Sequence, residues 1–286
     1  MDTVKIVTDS TCDLPAEWVR ELDITVLPCT ISFGLETFRE GVDLSTPEFY
    51  RRMAQSPLLP TTSRPPFGLY EEVYERLGQK GASILSIHIS SQLSGIYRDA
   101  CAAARQLPYL NITVIDSRQL SMGLGWQVVL AAQAAQAGRS LKEIAALVRG
   151  IIPRVRAVTV LDTLEYVARG GRIGKAAALV GTLLSVKPVV QVLDGEVCPV
   201  GQVRTKQRAL EYMVDYIVSQ GPFAEMAILH ADAEDAAYQV LEILLHRARA
   251  AGISLQRESI LVSTSGAAIT THLGLGAVGI CCVLAR

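Results

Sequence analysis

The 286 residues suffice for one large domain or two ordinary ones, each able to bury a core without staples. Half of them are apolar and only 19% are charged, which excludes a disordered chain and suits an α/β protein with buried parallel strands. A formal net charge of −1 excludes a global field that would draw the protein to nucleic acid or to anionic lipid.

The chain opens with a β-branched run, residues 4–8, followed by the polar stretch Asp9, Ser10, Thr11, Cys12, Asp13. A helix is expected over residues 16–22, with Asp13 as N-cap and Pro15 in the first turn. Strand, polar loop and helix begin an α/β sheet. Ligands collect at the carboxyl ends of such strands, where Asp9, Ser10 and Thr11 fall; a turn plus a cap accounts for the same three residues.

A second apolar run covers residues 24–33, and residues 36–43 are expected to return as an exposed ribbon. Ser45 and Glu48 have capping-box spacing and start a helix through Met53. Four prolines, Pro57, Pro60, Pro65 and Pro66, bracket the hydroxyls of Thr61, Thr62 and Ser63, which are expected on a stiff loop. A helix over residues 66–79 follows, for which Ser63 is an alternative cap.

The pattern repeats with a strand at 84–89, the hydroxyl-rich loop 90–95 and a helix at 97–107. Backbone N–H groups and the dipole at such a helix start favour an anion, so Ser94 is either an N-cap or a ligand to a carboxylate or phosphate. His88 is expected to be a satisfied core histidine within its strand. A strand at 112–117, a helix from residue 123 or 124 to 137, and a helix at 141–151 capped by Ser140 and Glu143 complete this half. Repeated strand, loop and helix argue for an N-terminal parallel sheet covered by helices on both faces, with a domain boundary near Pro153.

Beyond it the rhythm changes. A strand at 156–161 and a short helix after Asp162 lead into Arg169-Gly170-Gly171-Arg172-Ile173-Gly174-Lys175. That segment departs from a P-loop, because three residues rather than four separate Gly170 from Gly174 and Ala176 follows the lysine. Asp194-Gly195 between apolar runs is a hairpin signal. Arg204-Thr205 heads a helix to about residue 218; a strand at 226–230, a helix at 234–251 and a strand at 259–262 follow. The hairpin and mixed elements indicate a C-terminal α+β domain with a mixed sheet, and the division expected is 1–154 and 155–286.

The chain ends on His272 with Gly274, Gly276 and Gly279. These satisfy G-x-G-x-x-G, but an apolar run and the terminus follow where a helix and a downstream acid are required. The glycines more simply allow backbone N–H groups at Gly276 and Ala277 to approach something beside His272. Six cysteines show no C-x-x-C pair and no ligand spacing with the four histidines, so buried thiols are expected and neither a disulfide framework nor a metal site. No signal peptide and no bilayer-spanning run are recognised, so a soluble cytoplasmic protein is expected.

Three functions compete on these residues. A hydrolase would use Ser94 or Thr62 with His272 and an aspartate such as Asp116, but no G-x-S-x-G elbow is present. Phosphoryl transfer would need a phosphate loop or a carboxylate pair for Mg²⁺. Hydroxyls at strand ends, a histidine, an arginine and glycine-exposed amides are donors without a clear nucleophile and base, which favours holding an anion.

TDST at 8–11, PTTS at 60–63, SxLSGxY at 91–97, IDSRxLSMGxG at 115–125, LDTLEYxxRGGRIG at 161–174, VRTxxxAL at 203–210 and the terminal THxGxGAxG are collinear over nearly the whole chain. Together they resemble the DegV family. The resemblance implies a long-chain fatty acid in an apolar tunnel between two α/β domains, no cofactor, and a non-enzymatic role as acyl-carrying partner of a bacterial fatty acid kinase. It places the carboxylate on Thr62, Ser94 and the His272 segment, with Arg204 near the head group and supporting phosphotransfer. Arg172 is implied to face the kinase or to bridge the domains. The chain alone is expected to be monomeric. It departs from many relatives at Arg64-Pro65-Pro66, where they have Gln-Pro-Ser, at Ile96 in place of Thr, and at Leu275 in place of Pro.

Overall fold

The computed structural model describes residues 3–79, 81–179 and 186–286. In chain order it contains β1 (Val4–Asp9), α1 (Ala16–Glu21), β2 (Ile24–Leu27), β3 (Thr30–Phe33), β4 (Glu36–Arg39), α2 (Thr46–Gln55), β5 (Thr61–Ser63), α3 (Phe67–Gly78), β6 (Ser83–His88), α4 (Ile96–Gln106), β7 (Ile112–Asp116), α5 (Ser121–Gln136) and α6 (Leu141–Ile151). The second half adds β8 (Val155–Val160), α7 (Glu165–Arg169), β9 (Lys187–Leu193), β10 (Glu196–Val203), α8 (Lys206–Val218), β11 (Phe223–His230), α9 (Glu234–Ala250), β12 (Ile260–Thr264), α10 (Ala267–Leu273) and β13 (Val278–Leu284).

The first half is built on a four-stranded parallel sheet of order β2-β1-β6-β7. Helices α3 and α4 pack together on one side and α5 and α6 on the other. A strand covered on both faces is buried along its whole length, as β6 is, and its polar side chains Ser83, Ser86 and His88 are each hydrogen-bonded. Its histidine, His88, is indeed satisfied: the ring bonds Asp9 at 2.9 Å and Ser86 at 2.7 Å.

The second half is a six-stranded mixed sheet of order β10-β9-β8-β13-β11-β12, antiparallel except for the β11–β12 pair. Helices α8 and α9 cover one face. Helix α5 lies against the other while also touching β1 and β6 of the parallel sheet. That double contact explains why α5 has no polar stripe: a helix packed on two sides is apolar all round. Its Trp126 donates to the Cys281 carbonyl at 3.2 Å, so the two sheets are tied through it.

Most element expectations hold, including the Ser140–Glu143 capping box and a β9–β10 turn in which Asp194 and Gly195 both have positive φ. Three differ. Asp13 does not cap α1, which starts after Pro15 without a side-chain cap; Asp13 has φ 52 and turns its carboxylate inward to Ser121, Ser265 and Gly266. The hydroxyl triplet at 61–63 is not a free loop but strand β5, which pairs with β3 in a small antiparallel sheet of order β4-β3-β5. His272 lies in a short helix, α10, whose weak signal of two turns is supplied by neighbours rather than by its own periodicity.

Candidate functional site

Along the mixed sheet, side chains alternate between faces. Val158, Val160 and Val189 pack in the core shared with α8 and α9, whereas Ala157, Thr159, Val190 and Val192 line a cavity against the first half of the chain. The cavity spans about 900 Å³ of space between atoms, a figure that includes its opening to solvent. Leu93, Ile96 and Leu120 close it from the opposite side. It is therefore mainly apolar and lies between the two sheets.

Its polar groups come from remote parts of the chain. Strand β5 supplies Thr62, the loop before α4 supplies Ser94, helix α10 supplies His272, and the turn after α7 supplies Arg172. Thr62 Oγ1 and His272 Nε2 are 3.0 Å apart. Burial in the first place, and the Arg172 charge in the second, lower the His272 pKa to about 4, so the ring is neutral at physiological pH. Its Nδ1 is buried and has no hydrogen-bond partner among the described residues.

That holds whichever ring nitrogen carries the proton. The direction of the Thr62–His272 bond depends on the tautomer: with the proton on Nε2, Thr62 Oγ1 accepts from the ring and its own hydrogen is left for the cavity. Ser94 Oγ accepts from the Ile96 amide at 3.4 Å, which leaves its hydrogen available in the same way. Gly170 lets the ring sit where it does, because a Cβ there would be 2.2 Å from His272 Nδ1.

Arg172 spans the cavity rim: Nε donates to the Leu93 carbonyl at 3.2 Å and Nη1 to the Gly170 carbonyl. Arg64 also lines the cavity and is held by an ion pair with Asp99. Thr11, at the end of β1, reaches the cavity, whereas Asp9 and Ser10 are engaged within the protein.

The other expected contacts lie off this wall. Arg204 is exposed between β10 and α8 and does not line the cavity. The Gly276 amide is not free for a head group, because it donates to the Ala231 carbonyl at 2.7 Å, and the Gly276 carbonyl accepts from Lys206. Ala277 lines a smaller adjoining chamber that shares Leu120, Thr159 and Leu273 with the main cavity. Pairing with Ala231 takes up the Gly276 amide, and the Ala277 carbonyl accepts from the Ala231 amide at 2.9 Å.

A hydrolytic triad is not assembled here. Asp116 accepts from the amides of Ser91 and Arg118 rather than from His272, and an imidazole with a pKa of about 4 is a weak general base. An Asp9–His88–Ser86 alignment does exist, but all three residues are completely buried and Tyr74 donates to the serine, so no substrate reaches it. Among the described residues no group of three His, Cys, Asp or Glu side chains is placed to hold a metal, and no helix is long and apolar enough to cross a membrane.

A parallel sheet and a mixed sheet bridged by α5, with an apolar cavity edged by a small cluster of polar side chains, define an α/β protein with a binding-type cavity. The chain belongs to the DegV family: the family model described as "Uncharacterised protein, DegV family" matches residues 3–285. It is 33% identical over 282 residues to protein DegV of Bacillus subtilis, covering 97% of this chain and 98% of that one. Among solved structures, a DegV family protein from Thermus thermophilus described as fatty acid binding is 30% identical, with a TM-score of 0.89 over 99% of this chain and 100% of its own. Bacillus subtilis DegV, described as a fatty acid binding protein, is 32% identical with a TM-score of 0.85 over 99% and 100% of the two chains.

Proposed function

We propose that this chain binds a long-chain fatty acid in the cavity between residues 1–154 and 155–286, acting as two domains, with the carboxylate held by Thr62, Ser94 and His272. The observation that carries the reading is the Thr62–His272 pair at 3.0 Å on the edge of an apolar cavity. The two solved relatives described as fatty acid binding support the choice of ligand. Arg172, beside the neutral ring, adds the positive charge that a buried carboxylate needs.

The division of labour follows from magnitudes. A C16 tail buries roughly 14 methylenes at about 0.8 kcal/mol each, a gross gain of roughly 11 kcal/mol against an association cost of about 4 or more. The tail supplies affinity, and the donors offset the desolvation of the carboxylate and set its position.

The loaded chain is, on this reading, the substrate-presenting partner of a fatty acid kinase that converts the carboxylate to an acyl phosphate. Exposed Arg204 is the residue we assign to that encounter. Mass spectrometry of acids extracted from the purified protein tests the binding: a C14 to C18 fatty acid is expected, and its consistent absence overturns the reading. Incubation with ATP and fatty acid tests the division of roles, with acyl phosphate expected only when the kinase is added.

A further inference from the structure

His272 owes its position to α10, a helix of two turns whose start is anchored by the other half of the chain. The Gly266 amide donates to Asp13 Oδ1 at 2.9 Å, and the Ala268 amide donates to Glu40 Oε1 at 2.9 Å. Asp13 Oδ2 accepts from Ser121 Oγ at 2.6 Å and Ser265 Oγ at 3.1 Å, and Glu40 Oε2 accepts from Ser10 Oγ at 2.5 Å. Gly266 fits between the two carboxyls: a Cβ there would lie 2.6 Å from Glu40 Oε1 and 2.8 Å from Asp13 Oδ1, so those oxygens are close neighbours. Both residues are buried, and neither forms an ion pair among the described residues.

We propose that Asp13 and Glu40 are positioning residues for the head-group clamp, which couple the placement of α10 and His272, and thereby fatty-acid affinity, to their own protonation. The affinity part rests on the fatty-acid reading of the cavity; the docking of α10 does not.

The physical basis is a conflict at the start of the helix. Ionised carboxylates suit a helix N-terminus and accept its amides well, yet two of them buried side by side repel and each loses its hydration. Burial is the largest influence on both and pushes Asp13 up to about 6 and Glu40 up to about 7, against the hydrogen bonds that favour ionisation. The titratable groups facing the pair add no positive charge: Asp9 on β1, the Cys12 and Cys29 thiols, Tyr50 on α2 and Cys281 on β13.

The sign follows. Groups whose pKa is raised on docking favour the docked state below their ordinary carboxylate range and lose that contribution as pH rises through 6 and 7. Helix α10 is therefore held more firmly at pH 5.5 than at pH 8. His272 itself, with a pKa of about 4, does not titrate in this window.

The test measures two quantities between pH 5.5 and 8: hydrogen-exchange protection of amides 266–273 in ligand-free protein, corrected for intrinsic exchange, and the affinity of a fluorescent long-chain fatty acid. Both are expected to fall about tenfold in the wild type, the equivalent of one pKa unit of linkage. The fall should be smaller in Glu40→Gln, which keeps an acceptor for the Ala268 amide and lacks the charge, and smaller in Asp13→Asn, each single variant leaving the other carboxyl to titrate. It should be flat in the Asp13→Asn/Glu40→Gln double variant. A flat wild-type profile, or a wild-type slope that persists unchanged in every folded variant, overturns the proposal. If the wild type binds no fatty acid at any pH, the fatty-acid reading fails, and α10 protection still decides the positioning.

Discussion

Ser90 donates its hydroxyl to the carbonyl of Gly195 at 2.7 Å, across 105 positions of sequence, and so seats the β9–β10 hairpin on the first half of the chain. Arg118 adds a bond to the Asp194 carbonyl at 3.1 Å, and Gln119 one to the Val192 carbonyl at 3.4 Å. Because Val190, Val192 and Val197 of that hairpin line the cavity, the seating of one turn determines whether the cavity is closed on that side.

Gly195→Ala is therefore expected to destabilise the protein and loosen the hairpin. Gly195 has φ +88, and a Cβ would meet Ser90 Oγ at 2.6 Å. The combined strain should cost about 1–3 kcal/mol, read as a lower midpoint in denaturant unfolding. Ser90→Ala should cost about 1–3 kcal/mol by leaving the Gly195 carbonyl without its donor.

Removing the head-group side chains one at a time tests the clamp, His272 acting through its bond to Thr62. Thr62→Ala, Ser94→Ala and His272→Ala should each weaken fatty-acid binding by about 1.5–3 kcal/mol, roughly ten- to a hundredfold, as measured by displacement of a fluorescent fatty acid. Arg204→Ala, exposed and away from the cavity, should leave binding unchanged and reduce acyl phosphate formation in the presence of the kinase.

Gly170→Ala reports on the placement of the ring. The added methyl group would lie 2.2 Å from His272 Nδ1, so the imidazole must turn away from Thr62. Affinity should fall about tenfold, comparable to losing one hydrogen bond to a charged group, and nuclear magnetic resonance should show a shifted His272 ring. An unchanged affinity would separate His272 from the clamp.

His272 contributes to the acid limb of stability. Its pKa is depressed from 6.5 to about 4, mainly by burial, so the unfolded chain binds the proton more tightly. This contribution is present above pH 6.5 and is lost as pH falls towards 4. His272→Gln should flatten that loss in unfolding measurements over the same interval. Asp13 and Glu40 slope the opposite way, so the neutral variants separate the two effects.

The two larger sheets were legible because their signals are local. Short apolar runs, the Ser140–Glu143 box and the Asp194-Gly195 turn each act within a few residues and need no partner from elsewhere. The role of Asp13 was not legible. A polar residue before a proline-started helix has the pattern of a cap, and its inward turn is forced by Ser121, Ser265 and Gly266, more than a hundred positions away. Glu40 read as part of an exposed ribbon for the same reason, although it is buried against the start of α10.

Sequence alone determined which polar residue types this protein has available at strand ends and loops, Thr62, Ser94 and His272 among them, and that a parallel sheet is followed by a mixed one. Tertiary structure decided which of those groups converge. It brought Thr62 to His272 across 210 positions, removed the Gly276 amide by pairing it with Ala231, and left Arg204 outside. The reason is the range of the forces involved. Backbone propensity and periodicity act within one element, whereas the satisfaction of buried polar groups is settled only when distant elements meet.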